Sequence, residues 1–209
     1  MKKLSVQTKA ERSIDYTHVQ NGMKGICFMF SGLGYTYDKP LFHYASMLMK
    51  QKQIDFVHIE YSYSPELFES DFETILEEMM NDVSPVVDDI LREGHYQETI
   101  FLGKSIGTIP LIGGLLEDER FHNAKWIALT PLVKLEPLKE SLLATKNRSL
   151  LVIGDQDPHY DEKIVQQLQG SHQVNVVSHA DHSLEVEDTA TSLQILSDTV
   201  QTIADWVNT

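Results

Sequence analysis

Short apolar runs alternate with longer amphipathic stretches along the chain. Runs of four to eight apolar residues are typical of buried strands, whereas apolar residues spaced three and four positions apart are typical of helices. The pattern predicts strands at residues 13–18, 25–30, 54–61, 99–102, 126–129, 149–153 and 174–177. Helices are predicted at residues 38–52, 70–92 and 106–116, once between 130 and 147, and at the end of the chain.

Strands that alternate with helices favour the α/β class, with a mainly parallel central sheet covered by helices on both faces. The chain has 209 residues, of which 42% are hydrophobic and 23% charged, as in an ordinary globular protein with one sizeable core. We therefore expect residues 1–209 to form a single domain.

The charge balance limits the classes of partner. The formal net charge is −14, and binding to nucleic acid or to an anionic membrane surface needs clustered Lys and Arg. No apolar run reaches 18 residues, and the basic start Met1-Lys2-Lys3 is not followed by an apolar signal segment. The single cysteine, Cys27, lies in an apolar strand and is predicted to be a small buried side chain in the core. We expect a cytoplasmic protein without nucleic-acid or membrane partners; the oligomeric state is not predicted.

The pentapeptide Gly103-Lys104-Ser105-Ile106-Gly107 lies between the strand at 99–102 and the helix that follows it. A random chain of this length would contain Gly-x-Ser-x-Gly roughly 0.07 times, so its position between strand and helix matters more than its occurrence. A sharp turn there requires small flanking residues and places the serine hydroxyl at a helix N-terminus, which favours developing negative charge. The motif predicts that Ser105 is a nucleophile.

A serine nucleophile needs a histidine to take its proton and a carboxylate to orient that histidine. Both residue types follow later strands. Asp155 and Asp157 come directly after the strand at 149–153, and His179 and His182 come after the strand at 174–177. The pattern of residues alone leaves both pairs open.

The order serine, acid, histidine, each after a strand, resembles the α/β-hydrolase family over nearly the whole chain. The resemblance implies an α/β-hydrolase fold. The family's Gly-x-x-Asp pattern maps onto Gly154 and Asp157, which favours Asp157 over Asp155 as the acid; Asp161 reads as a helix-capping residue. The family's histidine precedes a small and then an apolar residue, which favours His182 over His179.

The resemblance also implies an oxyanion hole formed by two backbone N–H groups, those of Ile106 and Leu33. Leu33 lies in Ser31-Gly32-Leu33-Gly34, which looks like the family's His-Gly loop with serine in place of histidine. That departure puts the shape of the loop in doubt. Many relatives insert a lid after the strand at 126–129, but residues 130–147 leave room for about one helix. We therefore expect no separate lid domain.

Four tyrosines at or beyond strand ends are candidates for lining a pocket: Tyr35 and Tyr63, which we assign to substrate binding, and Tyr37 and Tyr61. Lys104 is expected to be an ordinary solvated lysine. His58, Glu60, His179 and His182 lack the spacing of a metal site, so no metal and no cofactor is predicted.

These features predict a serine hydrolase, with Ser105, His182 and Asp157 cleaving a carboxylic ester or related acyl bond through an acyl-enzyme. A carboxylesterase-like enzyme acting on small substrates is the default by analogy with the fold. Two alternatives stay open: a non-catalytic scaffold that binds a partner, and a thioesterase or peptidase on the same fold.

Overall fold

The computed structural model describes residues 2–8, 12–22, 25–93 and 96–209. Eight strands form one sheet: β1 (Lys2–Gln7), β2 (Ser13–Val19), β3 (Gly25–Phe30), β4 (Asp55–Glu60), β5 (Glu98–Lys104), β6 (Lys125–Leu129), β7 (Ser149–Gly154) and β8 (Gln173–Val177). The helices are α1 (Pro40–Gln51), α2 (Phe72–Glu93), α3 (Thr108–Gly113), α4 (Glu136–Ala144), α5 (Glu162–Leu168) and α6 (Thr189–Val207).

The strand order is β1-β2-β4-β3-β5-β6-β7-β8. Strands β3 to β8 are parallel to one another, and β2 pairs antiparallel with both β1 and β4. The α/β class and the mainly parallel sheet are as predicted. The hydrophobic pattern does not predict β1, because five of its six residues are exposed and give no apolar signal.

Every residue of β3 is buried, as expected for a central strand covered on both faces. Ile26, Phe28 and Phe30 point into a core closed mainly by α2 to α5, whereas Cys27 and Met29 point into a core closed by α1 and α6. The period of two along a strand therefore produces two hydrophobic layers. Among the described residues, no helix is both long and apolar enough to cross a membrane.

The parallel strands end along one edge of the sheet, and the loops after β3, β5, β7 and β8 follow from those ends. The connection from β6 to β7 contains a single helix, α4, as predicted. In open α/β sheets, ligands bind in the crevice beyond the carboxyl ends of the strands. The predicted site residues Ser105, Asp157, His182 and Leu33 all belong to these four loops.

Candidate active site

Ser105 occupies the turn between β5 and α3. Its backbone has a φ of 54°, in the left-handed region that non-glycine residues rarely adopt. Such strain is retained only where the surroundings impose it. The hydroxyl of Thr108 donates to the Ser105 carbonyl at 2.6 Å and so holds the turn from the helix side. The turn is the abrupt strand-to-helix elbow that the pentapeptide predicts.

The glycines of the motif are required because their surroundings leave no room for a side chain. A Cβ on Gly107 would lie 2.2 Å from the carbonyl oxygen of Phe30, and one on Gly103 would lie 2.7 Å from that of Gly107. Both contacts are with backbone, which cannot move aside at small cost. The two absent side chains therefore let the helix pack directly onto β5 and β3.

Three of the predicted residues are hydrogen-bonded in series. His182 Nε2 lies 2.8 Å from Ser105 Oγ, and His182 Nδ1 lies 2.7 Å from Asp157 Oδ2. With the carboxylate accepting from Nδ1–H, the unprotonated Nε2 is free to accept the serine proton. Ser105 is almost fully buried.

Asp157 is buried behind the histidine. Its second oxygen, Oδ1, accepts the backbone N–H of His159 at 2.8 Å. Burial opposes ionisation, yet the hydrogen bonds from His182 and from the His159 backbone hold the pKa of the Asp157 carboxyl below its usual value. The carboxylate is therefore ionised at neutral pH and fixed in orientation at both oxygens.

The alternative residues have other positions. Asp155 accepts the backbone N–H of His179 at 2.7 Å, which ties the loop after β7 to the loop after β8. The His179 side chain is exposed, and its backbone has a φ of 60°. Asp161 caps α5 by accepting from the N–H groups of Lys163 and Ile164. The structure thus brings Asp157 and His182, not Asp155 and His179, to Ser105.

The position of His159 beside the candidate base is not predicted by the sequence pattern. Its ring centroid lies 5.4 Å from that of His182. Burial lowers the pKa of His159, and the proximity of His182 acts in the same direction, although Asp157 raises it. A second imidazole therefore forms part of the wall beside the candidate base.

The loop after β3 lies against the nucleophile. A Cβ on Gly32 would be 3.3 Å from Ser105 Cβ and 3.4 Å from the Lys104 carbonyl oxygen. Gly32 and Tyr35 exchange two backbone hydrogen bonds of 3.2 Å, which form a tight turn with Leu33 at its exposed tip. Ile106 follows Ser105 directly in the elbow. The loop that carries Leu33 thus packs against the nucleophile turn through Gly32, and the oxyanion-hole role of the Leu33 and Ile106 N–H groups stays a prediction.

Two tyrosine hydroxyls brace Ser31, the position where the sequence departs from the family pattern. The Ser31 N–H donates to Tyr37 Oη at 3.2 Å, and Tyr61 Oη donates to the Ser31 carbonyl at 2.8 Å. The Tyr37 hydroxyl is also 2.8 Å from each of the carbonyl oxygens of Met29 and Ile59. These bonds fix the loop without a histidine side chain.

The Tyr37 ring is itself held by His58. The two rings stack in parallel at a centroid separation of 4.2 Å, and His58 Nε2 lies 2.8 Å from Ser46 Oγ. Burial lowers the pKa of His58 to about 4, so the imidazole is neutral at physiological pH. His58 thus belongs to a buried packing and hydrogen-bonding group under the loop.

Replacing Tyr37 by phenylalanine is expected to destabilise the protein. The change leaves the Ser31 N–H and neighbouring carbonyls without their partner, at a cost of about 1–3 kcal/mol in the free energy of unfolding. Urea denaturation measures this loss. Tyr44→Phe is the matched control, because Tyr44 is 46% exposed and should change stability by less than about 0.5 kcal/mol. Equal effects of the two substitutions would contradict the bracing role.

The two tyrosines assigned to substrate binding have different surroundings. Tyr35 lines a cleft of about 240 Å³ between α1, α6 and the histidine loop, together with Leu41, Leu184 and Leu193. Tyr63 stacks on Tyr61, with ring centroids 5.2 Å apart, and packs against the larger core. Tyr35 therefore borders an open cleft, whereas Tyr63 packs against Tyr61, one of the two tyrosines that hold Ser31.

Lys104 is not the solvated lysine that we expected. It is 1% exposed, and its ammonium group donates to Thr130 Oγ1 at 3.1 Å and to the His182 carbonyl at 2.9 Å. Lys104 continues the alternation of Ile100 and Leu102, which face the layer closed by α1 and α6. That period of two is the signal that could have predicted its burial.

No group of three or more potential metal ligands occurs within the residues that the structure describes. The candidate site consists of a hydroxyl, an imidazole and a carboxylate in series, and the N–H groups of Ile106 and Leu33 are the predicted oxyanion donors. Such an arrangement can activate a serine and stabilise an oxyanion, which is the chemistry of acyl transfer.

No family model matches the chain, and no curated protein matches it. Solved structures do match. An esterase from Pyrococcus furiosus is 12% identical, with a TM-score of 0.72 over 99% of this chain and 91% of that chain. A dienelactone hydrolase from Anabaena variabilis is 18% identical, with a TM-score of 0.68 over 98% and 96% of the two chains.

A lidless α/β serine hydrolase from Xanthomonas campestris is 13% identical, with a TM-score of 0.69 over 99% of this chain and 93% of that chain. All three similarities extend over almost the full length of both aligned chains. At these identities they establish the fold. The protein has the α/β-hydrolase fold, as the resemblance implies.

Proposed function

We propose that this protein is a serine hydrolase that cleaves carboxylic esters or related acyl bonds through an acyl-enzyme. The observation that carries the proposal is the unbroken hydrogen-bonded series Asp157–His182–Ser105, with contacts of 2.7 and 2.8 Å. It ends on a serine whose strained backbone, with a φ of 54°, presents the hydroxyl at the edge of the sheet. A serine that only formed a turn or filled space would need neither the strained backbone nor the hydrogen bonds to His182 and Asp157.

In the first half of the reaction, Ser105 Oγ attacks the acyl carbonyl carbon while His182 Nε2 takes the hydroxyl proton. The Asp157 carboxylate holds the Nδ1 proton and stabilises the imidazolium. The carbonyl oxygen becomes an oxyanion, which the N–H groups of Ile106 and Leu33 stabilise. Collapse of this intermediate breaks the bond to the leaving group, which takes the proton from His182.

In the second half, a water molecule replaces the leaving group. His182 removes a proton from the water, whose oxygen attacks the acyl carbon attached to Ser105. The second oxyanion collapses, the bond to Ser105 Oγ breaks, and the serine regains its proton from His182. Atoms and charge balance without a cofactor, since water is the only co-reactant.

The surroundings of the site favour modest substrates that enter directly from solvent. The connection between β6 and β7 contains only the nine-residue helix α4. The cleft bordered by Tyr35 begins next to His182, at Ser183 and Leu184, and its lining is mostly aliphatic. We propose that this cleft receives an apolar part of the substrate and that no lid has to open.

A fluorophosphonate probe tests the proposal directly, because an activated serine displaces its fluoride and becomes phosphonylated, whereas an ordinary serine does not react. The wild-type protein is expected to be labelled at Ser105, as identified by mass spectrometry of the modified peptide. Ser105→Ala and heat-denatured wild type should not be labelled. Ser46→Ala is a matched control, since Ser46 also bonds a histidine, His58, but lies within the fold. It should be labelled at the wild-type rate.

A panel of p-nitrophenyl esters, thioesters and short peptides then identifies the bond that is cleaved. Absence of labelling in a protein whose circular dichroism spectrum shows that it is folded would overturn the proposal and favour the non-catalytic scaffold. Labelling at Ser105 with turnover of thioesters or peptides alone would retain the activated serine and correct the class of substrate.

A further inference from the structure

Lys104 is a buried cation at the centre of the candidate site. It precedes Ser105 on β5, and its ammonium group lies between Thr130 Oγ1, at 3.1 Å, and the backbone carbonyl of His182, at 2.9 Å. The Tyr35 ring covers it from a third side, with Nζ 4.4 Å from the ring centroid. One side chain therefore contacts segments that follow β3, β6 and β8.

The backbone around the two acceptors is specialised. Thr130 has a φ of 44°, and its N–H donates to the Val152 carbonyl at 2.7 Å. Leu184, two residues after His182, has a φ of 61° and is buried. The histidine loop thus turns sharply two residues after the carbonyl group that Lys104 holds. Burying an ammonium group with hydroxyl, carbonyl and aromatic partners is costly, so its presence calls for a reason beyond packing.

We infer that Lys104 is a positioning residue for the proposed reaction, which fixes the backbone of His182 and thereby keeps its imidazole between Asp157 and Ser105. The inference rests on the proposed function, but the geometry that it invokes can be measured without turnover. Asp157 fixes the ring from one side through Nδ1. Lys104 fixes the main chain that carries the ring, and both constraints are needed to keep Nε2 within 2.8 Å of Ser105 Oγ.

Charge assistance explains why a lysine serves better than a neutral donor. A hydrogen bond from an ammonium group to a carbonyl is stronger than one between neutral groups. Burial lowers the pKa of Lys104 to about 8, while Asp157, Asp181 and Glu185 act to raise it. Within the part of the chain that the structure describes, these three carboxylates and the Tyr35 ring are the titratable groups that act on Nζ. The ammonium form is therefore the main form at neutral pH.

Lys104→Met tests the inference, because methionine matches the length of the side chain but cannot donate. We expect kcat for a p-nitrophenyl ester to fall about 10- to 100-fold, as for a small displacement of a catalytic group. KM should change less than about twofold. The rate of fluorophosphonate labelling should fall in parallel with kcat. Thr130→Val, which removes one of the two acceptors, should give an intermediate loss.

A nuclear magnetic resonance experiment reports on the geometry alone. The proton shared by His182 Nδ1 and Asp157 gives a far-downfield resonance, which Lys104→Met is expected to broaden or shift. Lys125→Met is the matched control. Lys125 also donates to a backbone carbonyl, that of Val207, and pairs with Glu98 at 2.6 Å, but it lies at the start of β6, away from the site. Its kcat and its downfield resonance should be those of the wild type.

The pH dependence gives a second readout that packing alone would not produce. Loss of the Lys104 proton leaves weaker neutral hydrogen bonds, so kcat of the wild type should decline above about pH 8, and this step should be absent from Lys104→Met. Stability should move the other way. Between pH 8 and the lysine value of about 10.4, the unfolded chain binds a proton that the folded chain has lost, so the urea midpoint of the wild type should rise relative to that of the variant.

The outcomes separate this inference from the proposed function. If the wild type is not labelled at all, the proposed function fails, and the downfield resonance still tests the positioning of His182. If the wild type is labelled and Lys104→Met retains full kcat and an unchanged resonance, the positioning role is refuted. A loss of activity equal in Lys104→Met and Lys125→Met would also refute it, because the effect would then follow from removal of any lysine.

Discussion

Replacing His182 by alanine is expected to lower kcat/KM by at least about 10³-fold, as removal of a member of a catalytic triad does elsewhere. The imidazole is the only group that contacts both Ser105 Oγ and Asp157 among the residues that the structure describes. Without it, the serine hydroxyl has no base, and the buried carboxylate cannot act on the serine. Steady-state kinetics on an ester of the panel measures the loss, which should equal that of Ser105→Ala.

His179 provides the control for this prediction. It lies three residues earlier in the same loop, but its side chain is exposed and its backbone N–H is bonded to Asp155. Asparagine tolerates the left-handed backbone at this position better than alanine does. His179→Asn should therefore keep kcat/KM within about threefold of the wild-type value, as expected for a surface change. The reverse ranking would move the role of base to His179.

The arrangement of the candidate site could be predicted largely from sequence because its parts are local. The Gly-x-Ser-x-Gly turn, the aspartate after β7 and the histidine after β8 each lie within a few residues of a strand end. Parallel strands bring their carboxyl ends to one edge of a sheet, so the topology alone places these three loops together. The choice of Asp157 over Asp155 needed the family pattern, and the structure shows that Asp155 serves instead to join two loops.

The support around the site could not be predicted in this way, because its contacts join distant segments. Tyr37 bonds the backbone of Met29, Ser31 and Ile59, and no spacing in the sequence reports such a contact. The structure resolves the doubt that Ser31 raised about the loop. Lys104 was wrongly expected to be solvated, because lysines are usually exposed. Its position on β5 indicates burial instead, since helices cover both faces of this strand and its side chains alternate between two buried layers. Residue types and their spacing predicted which side chains meet at the candidate site, and only the three-dimensional packing revealed the contacts that hold them there.

Replacing Gly107 by alanine is expected to damage both stability and activity. The φ of Gly107 is −62°, which alanine adopts without strain, so the effect arises from space alone. The new methyl group would lie 2.2 Å from the Phe30 carbonyl oxygen and 2.8 Å from that of Ser31. These atoms are backbone at the end of β3, and overpacking of this kind costs about 3 kcal/mol at the upper end of its usual range. Urea denaturation measures the loss.

The same contact predicts the loss of activity. To relieve it, the segment from Phe30 to Leu33 must move away from the elbow, which would displace Leu33, whose N–H we propose as an oxyanion donor. Removing one donor of an oxyanion hole costs about 10²-fold or more in kcat, so fluorophosphonate labelling and hydrolysis should slow by that factor in the fraction that stays folded. Gly170→Ala is the control, because a Cβ there meets only Gln167 O, at 3.4 Å. Equal effects of Gly107→Ala and Gly170→Ala would contradict this prediction. They would show that the close approach of helix and strand at the elbow does not position the loop after β3.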